Sequence, residues 1–407
     1  MADWDSLYAS RMHGVIASDI RERMKLLDAG EIIHLGGGLP DPAIFPYAAL
    51  SAASAAIWSD PARARTALQY APSEGHAPLR TWIAERMTKE GAPCTADNLM
   101  ITNGSQQGLD FIAKLLLSPG DRAMVEVPSF IGALRAFDAY QPHYVGLPQD
   151  SARWDAEALG GAKFCYAGPD FRNPTGTTMT LGERMALLDL AEATGMVLVE
   201  DGCYEALRYD GEPVPSLLKL AIRRHGDIEK SPVLHTGTFS KTIAPSLRVG
   251  WIAGPAHVIR KLVLIKQASD LATSALNQML LLDVVETALD DTIARARRVY
   301  RERRDSMLAS LAEAMPPGVT FTRPEGGLYV WAELPEGMDA TLFARRALAE
   351  HKVSIIAGGA FYPAGTEKIP GHRTSFRLSF SMIDAARARE GVMRLGELAR
   401  QMMPETV

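Results

Sequence analysis

The sequence predicts an α/β protein in two units, a large one built on a mostly parallel sheet and a smaller α+β one. Three observations predict it. The chain has 407 residues, too many for one ordinary core and suited to two packed units. From Leu99 to Gly254, short β-rich runs alternate with helical stretches. Beyond Asn277 the pattern changes to a long charged helix followed by short strands.

The alternation carries the large unit. Leu99–Thr102, Ala123–Val127, Lys163–Tyr166, Met196–Val199, Val233–Thr236 and Val249–Ala253 read as strands, with Gln106–Leu117 and Leu181–Thr194 as helices between them. That order is the signature of crossover connections. The smaller unit reads as a helix to Ala314 and then strands at Val319–Thr322, Leu328–Glu333, Val353–Ile356 and Ser375–Phe380. Residues before Phe45 are too few for a domain and are expected on this unit. The expected division is 1–45 as an N-terminal arm of the small domain, 46–289 as the large domain and 290–407 as the small C-terminal domain.

Composition narrows the function classes. Apolar residues make up 47% and charged ones 22%, which excludes disordered, collagen-like and coiled-coil chains. The net charge of −5, from 43 basic and 48 acidic residues, argues against a nucleic-acid partner. Cys94, Cys165 and Cys203 show neither disulfide nor metal-ligand spacing, so no metal is expected and a reducing cytoplasm fits. The N-terminus lacks the pattern of a signal peptide. The longest uncharged stretch, Pro42 to Ser59, holds two prolines and three serines, so no membrane span is expected.

Ligands of open α/β sheets sit beyond the carboxyl ends of the strands, and polar or aromatic clusters follow five of the runs. They are Asn103-Gly104-Ser105-Gln106-Gln107, Pro128-Ser129-Phe130, Asn173-Pro174-Thr175-Gly176, Asp201, and Thr238-Phe239-Ser240-Lys241. Singly each has a bland reading: a surface lysine, a turn, a helix cap. Together, a lysine in a Ser-Lys-Thr loop, an aspartate ending a strand and a Gly-Ser loop opening a helix meet the needs of pyridoxal phosphate. Nucleotide motifs fail. Gly36–Asp41 ends in Asp where a dinucleotide fingerprint needs Gly, and Gly237–Thr242 lacks the Gly before Lys of a P-loop.

The ordered set resembles the fold type I pyridoxal-phosphate aminotransferases of class I/II, and most of all their 2-aminoadipate type. The likeness runs from Gly36 to the last helix through Gly36–Asp41, Tyr70-Ala-Pro-Ser-Glu-Gly75, Asn173–Gly176, Asp201 with Tyr204, Ser240-Lys241 with Arg248, and Arg377-Leu-Ser. Asn-Pro-Thr-Gly alone is a weak match; with Asp201 28 positions on, Lys241 40 further and Arg248 seven more, the set is strong.

What the resemblance implies can be stated residue by residue. Lys241 matches the amine that forms the Schiff base and then shuttles the proton at the substrate Cα. Asp201 matches the carboxylate that keeps the pyridine nitrogen protonated. Asn173 and Tyr204 match the partners of the ring's phenolate oxygen. Gly104, Ser105 and Gln106 at a helix start, with Thr238, Ser240 and Arg248, match the phosphate cradle. Phe130 falls where an aromatic stacks on the ring, and Tyr70 matches a tyrosine that reaches the phosphate from the neighbouring subunit of a homodimer.

On the substrate side, Arg377 matches the arginine that binds the α-carboxylate; Phe376, Leu378 and Phe380 alternate around its charge. Gly37 and Gly38 would allow close backbone approach, with a plain glycine turn as the alternative. Arg21 aligns with an arginine that reads a side-chain carboxylate, with Arg23, Arg11 or a merely charged helix face as alternatives. Two departures stand out: Gly202 where the family usually carries an acidic residue, and Ala357 to Phe361 without the usual proline. Cys203 reads as a reactive thiol or, more ordinarily, as inert filler.

The expected activity is transamination of an α-amino acid, a 2-aminoadipate, aromatic or branched-chain donor, with 2-oxoglutarate as acceptor. The same cofactor serves lyases, decarboxylases and racemases; Arg377 favours transfer, since it would retain the carboxylate. An aminotransferase-like effector domain of a transcription regulator is a further alternative. It would need a DNA-binding domain for which the residues before Gly36 are too few.

Overall fold

The computed structural model describes residues 2–12, 32–148 and 151–403. Thirteen strands are present among them: β1 Ile33–His34, β2 Leu99–Thr102, β3 Arg122–Glu126, β4 His143–Leu147, β5 Ala162–Ala167, β6 Val197–Asp201, β7 Val233–Thr238, β8 Gly250–Ala253, β9 Thr320–Phe321, β10 Tyr329–Glu333, β11 Val353–Ser354, β12 Ile356–Ala357 and β13 Ser375–Ser379. Seven form one sheet in the order β2-β8-β7-β6-β5-β3-β4. All run parallel except β8, which is antiparallel to both of its neighbours.

Both faces of this sheet are buried, so its inner strands read as continuous apolar runs rather than alternating ones. Side chains still point to opposite sides by turns. Cys165 and Leu198 join one core, with helices Leu181–Thr194 and Leu217–His225 packed over it. Phe164, Tyr166 and Val199 join the other, beneath helices Ser105–Leu116 and Ile131–Asp138. Helix Leu181–Thr194 shows how local sequence sets its bounds. Thr180 and Glu183 form a reciprocal capping box, and Gly195 ends the helix in the left-handed region.

A third core is built on the four-stranded antiparallel sheet β12-β13-β10-β9. Phe376, Leu378, Phe380, Val330 and Ala332 line it, and Ile33, Leu35 and Ile44 of the N-terminal segment pack into it. β1 pairs in parallel with β11, Ile33 opposite Val353. One helix, Ala275–Ala314, runs 40 residues, about 60 Å at the usual rise. Its buried side chains change core along its length: Leu281 to Ile293 belong to the large unit, and Ala296 to Ala314 to the small one.

The expected elements need correction, beginning with β1, a strand not expected before Leu99. Val353–Ile356 is not one strand. Its first half pairs with β1 and its second, β12, with β13; Ile355 lies between them. β4 was not expected at all. It is an edge strand, its residues half-exposed apart from Leu147, so it lacks the apolar run that marks the inner strands. Among the described residues no helix is long and apolar enough to cross a membrane.

Candidate active site

Because β2, β3, β5, β6 and β7 run parallel, their carboxyl ends share one edge, and the five clusters meet there. After β2 the chain turns through Gly104 at φ +77°, a conformation L side chains rarely adopt. A Cβ at Gly104 would lie 2.5 Å from Arg248 Nη2. The backbone is therefore pressed against a guanidinium at the start of helix Ser105–Leu116, where unpaired N–H groups favour an anion. Arg248 donates to the carbonyls of Pro245 (3.2 Å) and Asn103 (3.1 Å), neutral partners that leave its charge unanswered.

Thr238 and Ser240 lie at the end of β7, Thr238 Oγ1 accepting from the Ser240 N–H at 3.1 Å and donating to Ser240 Oγ at 2.9 Å. Gln106 Nε2 donates to Gly132 O at 2.6 Å. The Phe130 ring lies against the same glycine, where a Cβ would fall 2.3 Å from Phe130 Cζ. Gln106 and Phe130 thus share one wall.

Asp201, the last residue of β6, is buried and accepts from Tyr166 Oη at 2.7 Å and from the Cys203 N–H at 3.2 Å. Burial and this carboxylate push the Tyr166 phenol well above its usual range, so it stays a donor. Burial and Asp201 likewise push the Cys203 thiol well up, and its Sγ donates to Ser105 Oγ at 3.2 Å. Cys203 is therefore a protonated tie between the Asp201 loop and the helix start, the inert reading. Lys241 Nζ donates to Gly38 O at 3.3 Å and lies 5.8 Å from the centre of the Tyr204 ring.

Arg377 comes from the central strand of the small sheet, opposite Trp331 on β10 and Ile356 on β12. It is 1% exposed. It donates to Asn173 Oδ1 at 2.6 Å and to Gly36 O at 2.7 Å, while its Nε has no partner. The guanidinium stacks over Tyr329 at 4.2 Å and faces Phe361 at 5.0 Å. Burial draws its pKa down, yet an arginine remains a cation. Among the described residues no carboxylate pairs with it. A buried cation held only by neutral groups is costly unless an anion completes it.

Gly36 supplies that carbonyl, and Gly38 is a position of forced contact: a Cβ there would lie 1.8 Å from Tyr329 Oη. Gly37 faces open space. Tyr70 is 80% exposed, and among the described residues no side-chain hydrogen bond joins it to the cluster. Arg21 and Arg23 lie outside the described residues.

Several participants escape sequence reasoning. Tyr166 and Tyr329 fall inside the predicted strands Lys163–Tyr166 and Leu328–Glu333 with no local signal that marks them. Lys266 is fully buried, its Nζ bonded to Gln107 Oε1 (2.9 Å) and Asp270 (3.0 Å); Asp270 also accepts from Asn103 Nδ2 (2.5 Å) and Gln107 Nε2 (2.7 Å). This network anchors the loop on which Gly104 and Ser105 sit. The glycine at 202 also finds its reason. A Cβ there would meet His235 Cε1 at 2.4 Å, and His235 is tied through Nδ1 to buried Glu200 at 3.0 Å.

An amine, a buried carboxylate, an anion cradle and an arginine short of acidic partners lie along one edge, linked through Gly38, Tyr204 and Tyr329, an arrangement suited to an anionic aldehyde cofactor and an amino acid. Residues 32–395 match the family described as aminotransferase class I and II. The chain belongs to this family. Among its relatives, an aromatic-amino-acid aminotransferase of Thermococcus litoralis is 37% identical over 98% of this chain and 96% of its own. A 2-aminoadipate transaminase of Thermus thermophilus is 36% identical over 98% of each. The crystal structure of LysN, the α-aminoadipate aminotransferase of Thermus thermophilus, complexed with N-(5'-phosphopyridoxyl)-L-leucine, superposes with a TM-score of 0.89. It is 35% identical and covers 98% of this chain and 99% of that one. The α/β fold of this aminotransferase, with the single antiparallel strand of its seven-stranded sheet, is thus that of a pyridoxal-phosphate enzyme of fold type I.

Proposed function

We propose that this aminotransferase holds pyridoxal phosphate at the shared strand edge and exchanges the amino group of a 2-aminoadipate, aromatic or branched-chain donor with 2-oxoglutarate. The observation that carries the reading is Arg377, a buried cation with an orphaned Nε and, among the described residues, no acidic partner, which an α-carboxylate would complete. The residues fit the cofactor on their own terms. The Gly104–Arg248 cradle has no room for a Cβ, and among the described residues Arg248 donates only to carbonyls. When bound, pyridoxal phosphate supplies an aldehyde that joins an amine and a ring that withdraws electrons from the substrate Cα.

Lys241 is the attaching amine and, once released, the base that moves the proton at Cα. Asp201, fixed by Tyr166 and the Cys203 amide, faces the ring nitrogen. Asn173 and Tyr204 bind the ring oxygen. Ser105, Gln106, Thr238, Ser240 and Arg248 bind the phosphate, with Gly104 keeping the approach open, and Phe130 stacks on the ring. Gly37 and Gly38 border the substrate, and Arg21 reads a side-chain carboxylate. Tyr70, exposed in the single chain, completes the phosphate site of the partner in a homodimer. Domain limits of 1–45, 46–289 and 290–407 place Arg377 on the small unit, where closure would deliver it to the substrate. The three free cysteines support a cytoplasmic location.

Names of the relatives support the donor class. Borohydride reduction of the purified holoenzyme followed by peptide mapping should place the cofactor on Lys241, and added donor amino acids should bleach its visible band. A label on another lysine, or a protein that takes up no cofactor, would reject the reading. Arg21→Ala should weaken 2-aminoadipate far more than leucine; an equal loss for both removes Arg21 from substrate choice.

A further inference from the structure

Tyr204 and Tyr329 are both buried, 9% and 3% exposed, and their hydroxyls lie 3.2 Å apart. Their rings meet edge to face, centres 5.8 Å apart at 78°. Among the described residues Tyr329 Oη has no other hydrogen-bond partner. The backbone of Gly38 closes over that hydroxyl, and Arg377 covers the ring at 4.2 Å, so Tyr329 is held in place from two sides.

Each phenol has one hydrogen to give. If Tyr204 donates its own to the cofactor's ring oxygen, the hydrogen between the two tyrosines must come from Tyr329. We propose that Tyr329 is a positioning residue that acts through Tyr204, donating to its oxygen and strengthening its donation to the ring oxygen. This rests on the role given to Tyr204 above. Chained hydrogen bonds polarise one another, and more so where water is excluded. The same ring carries Arg377, so one side chain couples the carboxylate-binding arginine to the face of the cofactor that sets its proton affinity. The titratable and charged groups facing the pair are Asp201, Cys203, Lys241 and Arg377, and all remain in the variants below.

The test is a pH titration of the visible absorbance of holoenzyme variants. A donor to the ring oxygen stabilises its anion and so weakens the hold of the neighbouring nitrogen on its proton. Tyr204→Phe should therefore raise the midpoint, by about one unit or more. Tyr329→Phe, which keeps the ring and its packing, should raise it by about half a unit. In the Tyr204→Phe background it should add nothing. An unchanged midpoint in Tyr329→Phe, or an undiminished shift in the double variant, overturns the proposal. A Tyr204→Phe enzyme that titrates like the parent overturns it too, and locates the failure in the role of Tyr204 itself.

Discussion

Arg184 and Arg377 are both buried arginines, and they are held in opposite ways. Arg184, at 0% exposure, sits on the helix Leu181–Thr194 behind the large sheet. Its donors reach the carbonyls of Met179, Val214, Pro215 and Pro169, and it pairs with Asp170 at 3.0 Å. Among the described residues, Arg377 has two neutral acceptors, an orphaned Nε and no acid. The lysines repeat the contrast. Lys266 is enclosed by Gln107 and both oxygens of Asp270, whereas among the described residues Lys241 has one long bond, to Gly38 O. Cations that build the fold are saturated by the chain itself. Among the described residues, Lys241 and Arg377 are left short of partners, and on the function proposed above a ligand would supply the deficit.

The contrast can be broken by substitution. The largest effect is expected at Lys241: Lys241→Ala should lower kcat by about four orders of magnitude, since one amine has two roles, while the holoenzyme still takes up cofactor noncovalently. Measurable turnover near the parental rate would show that the unsaturated lysine is idle. Next, Arg377→Met should cost about 3 kcal/mol of substrate binding, roughly two orders of magnitude in kcat/KM, yet leave the urea midpoint unchanged or higher because an unpaired buried charge is gone. A lowered midpoint would place Arg377 with the structural cations.

Arg184→Met is the reciprocal test. Breaking its pair should destabilise the chain by about 3 kcal/mol without changing KM for either substrate, as equilibrium unfolding and steady-state kinetics would show together. A smaller effect is expected at Gly104→Ala. There a strained φ and the displaced Arg248 should weaken cofactor binding about tenfold, read as the concentration that restores the visible band to apoenzyme. Unaltered affinity would mean that the cradle tolerates a side chain.

Much of this contrast was legible in the sequence, for physical reasons. Arg377 stood out because Phe376, Leu378 and Phe380 alternate around it, and the strand-end clusters followed from the parallel sheet. What was hidden depends on pairing across the chain. Lys266 and Gln107 are 159 residues apart and Tyr204 and Tyr329 125, so nothing in local pattern announces either contact. β4 was hidden because an edge strand need not be apolar. Gly202 read as a departure without cause until His235 was seen filling its side-chain space.

The 40-residue helix Ala275–Ala314 is seated in both halves of the molecule, with no loose backbone where it passes from one to the other. A movement of the C-terminal lobe would therefore have to bend that helix or the chain near Phe45 rather than a slack linker. On the function proposed above, Arg377 would then approach a substrate along a short arc, and capture of the carboxylate would coincide with expulsion of water.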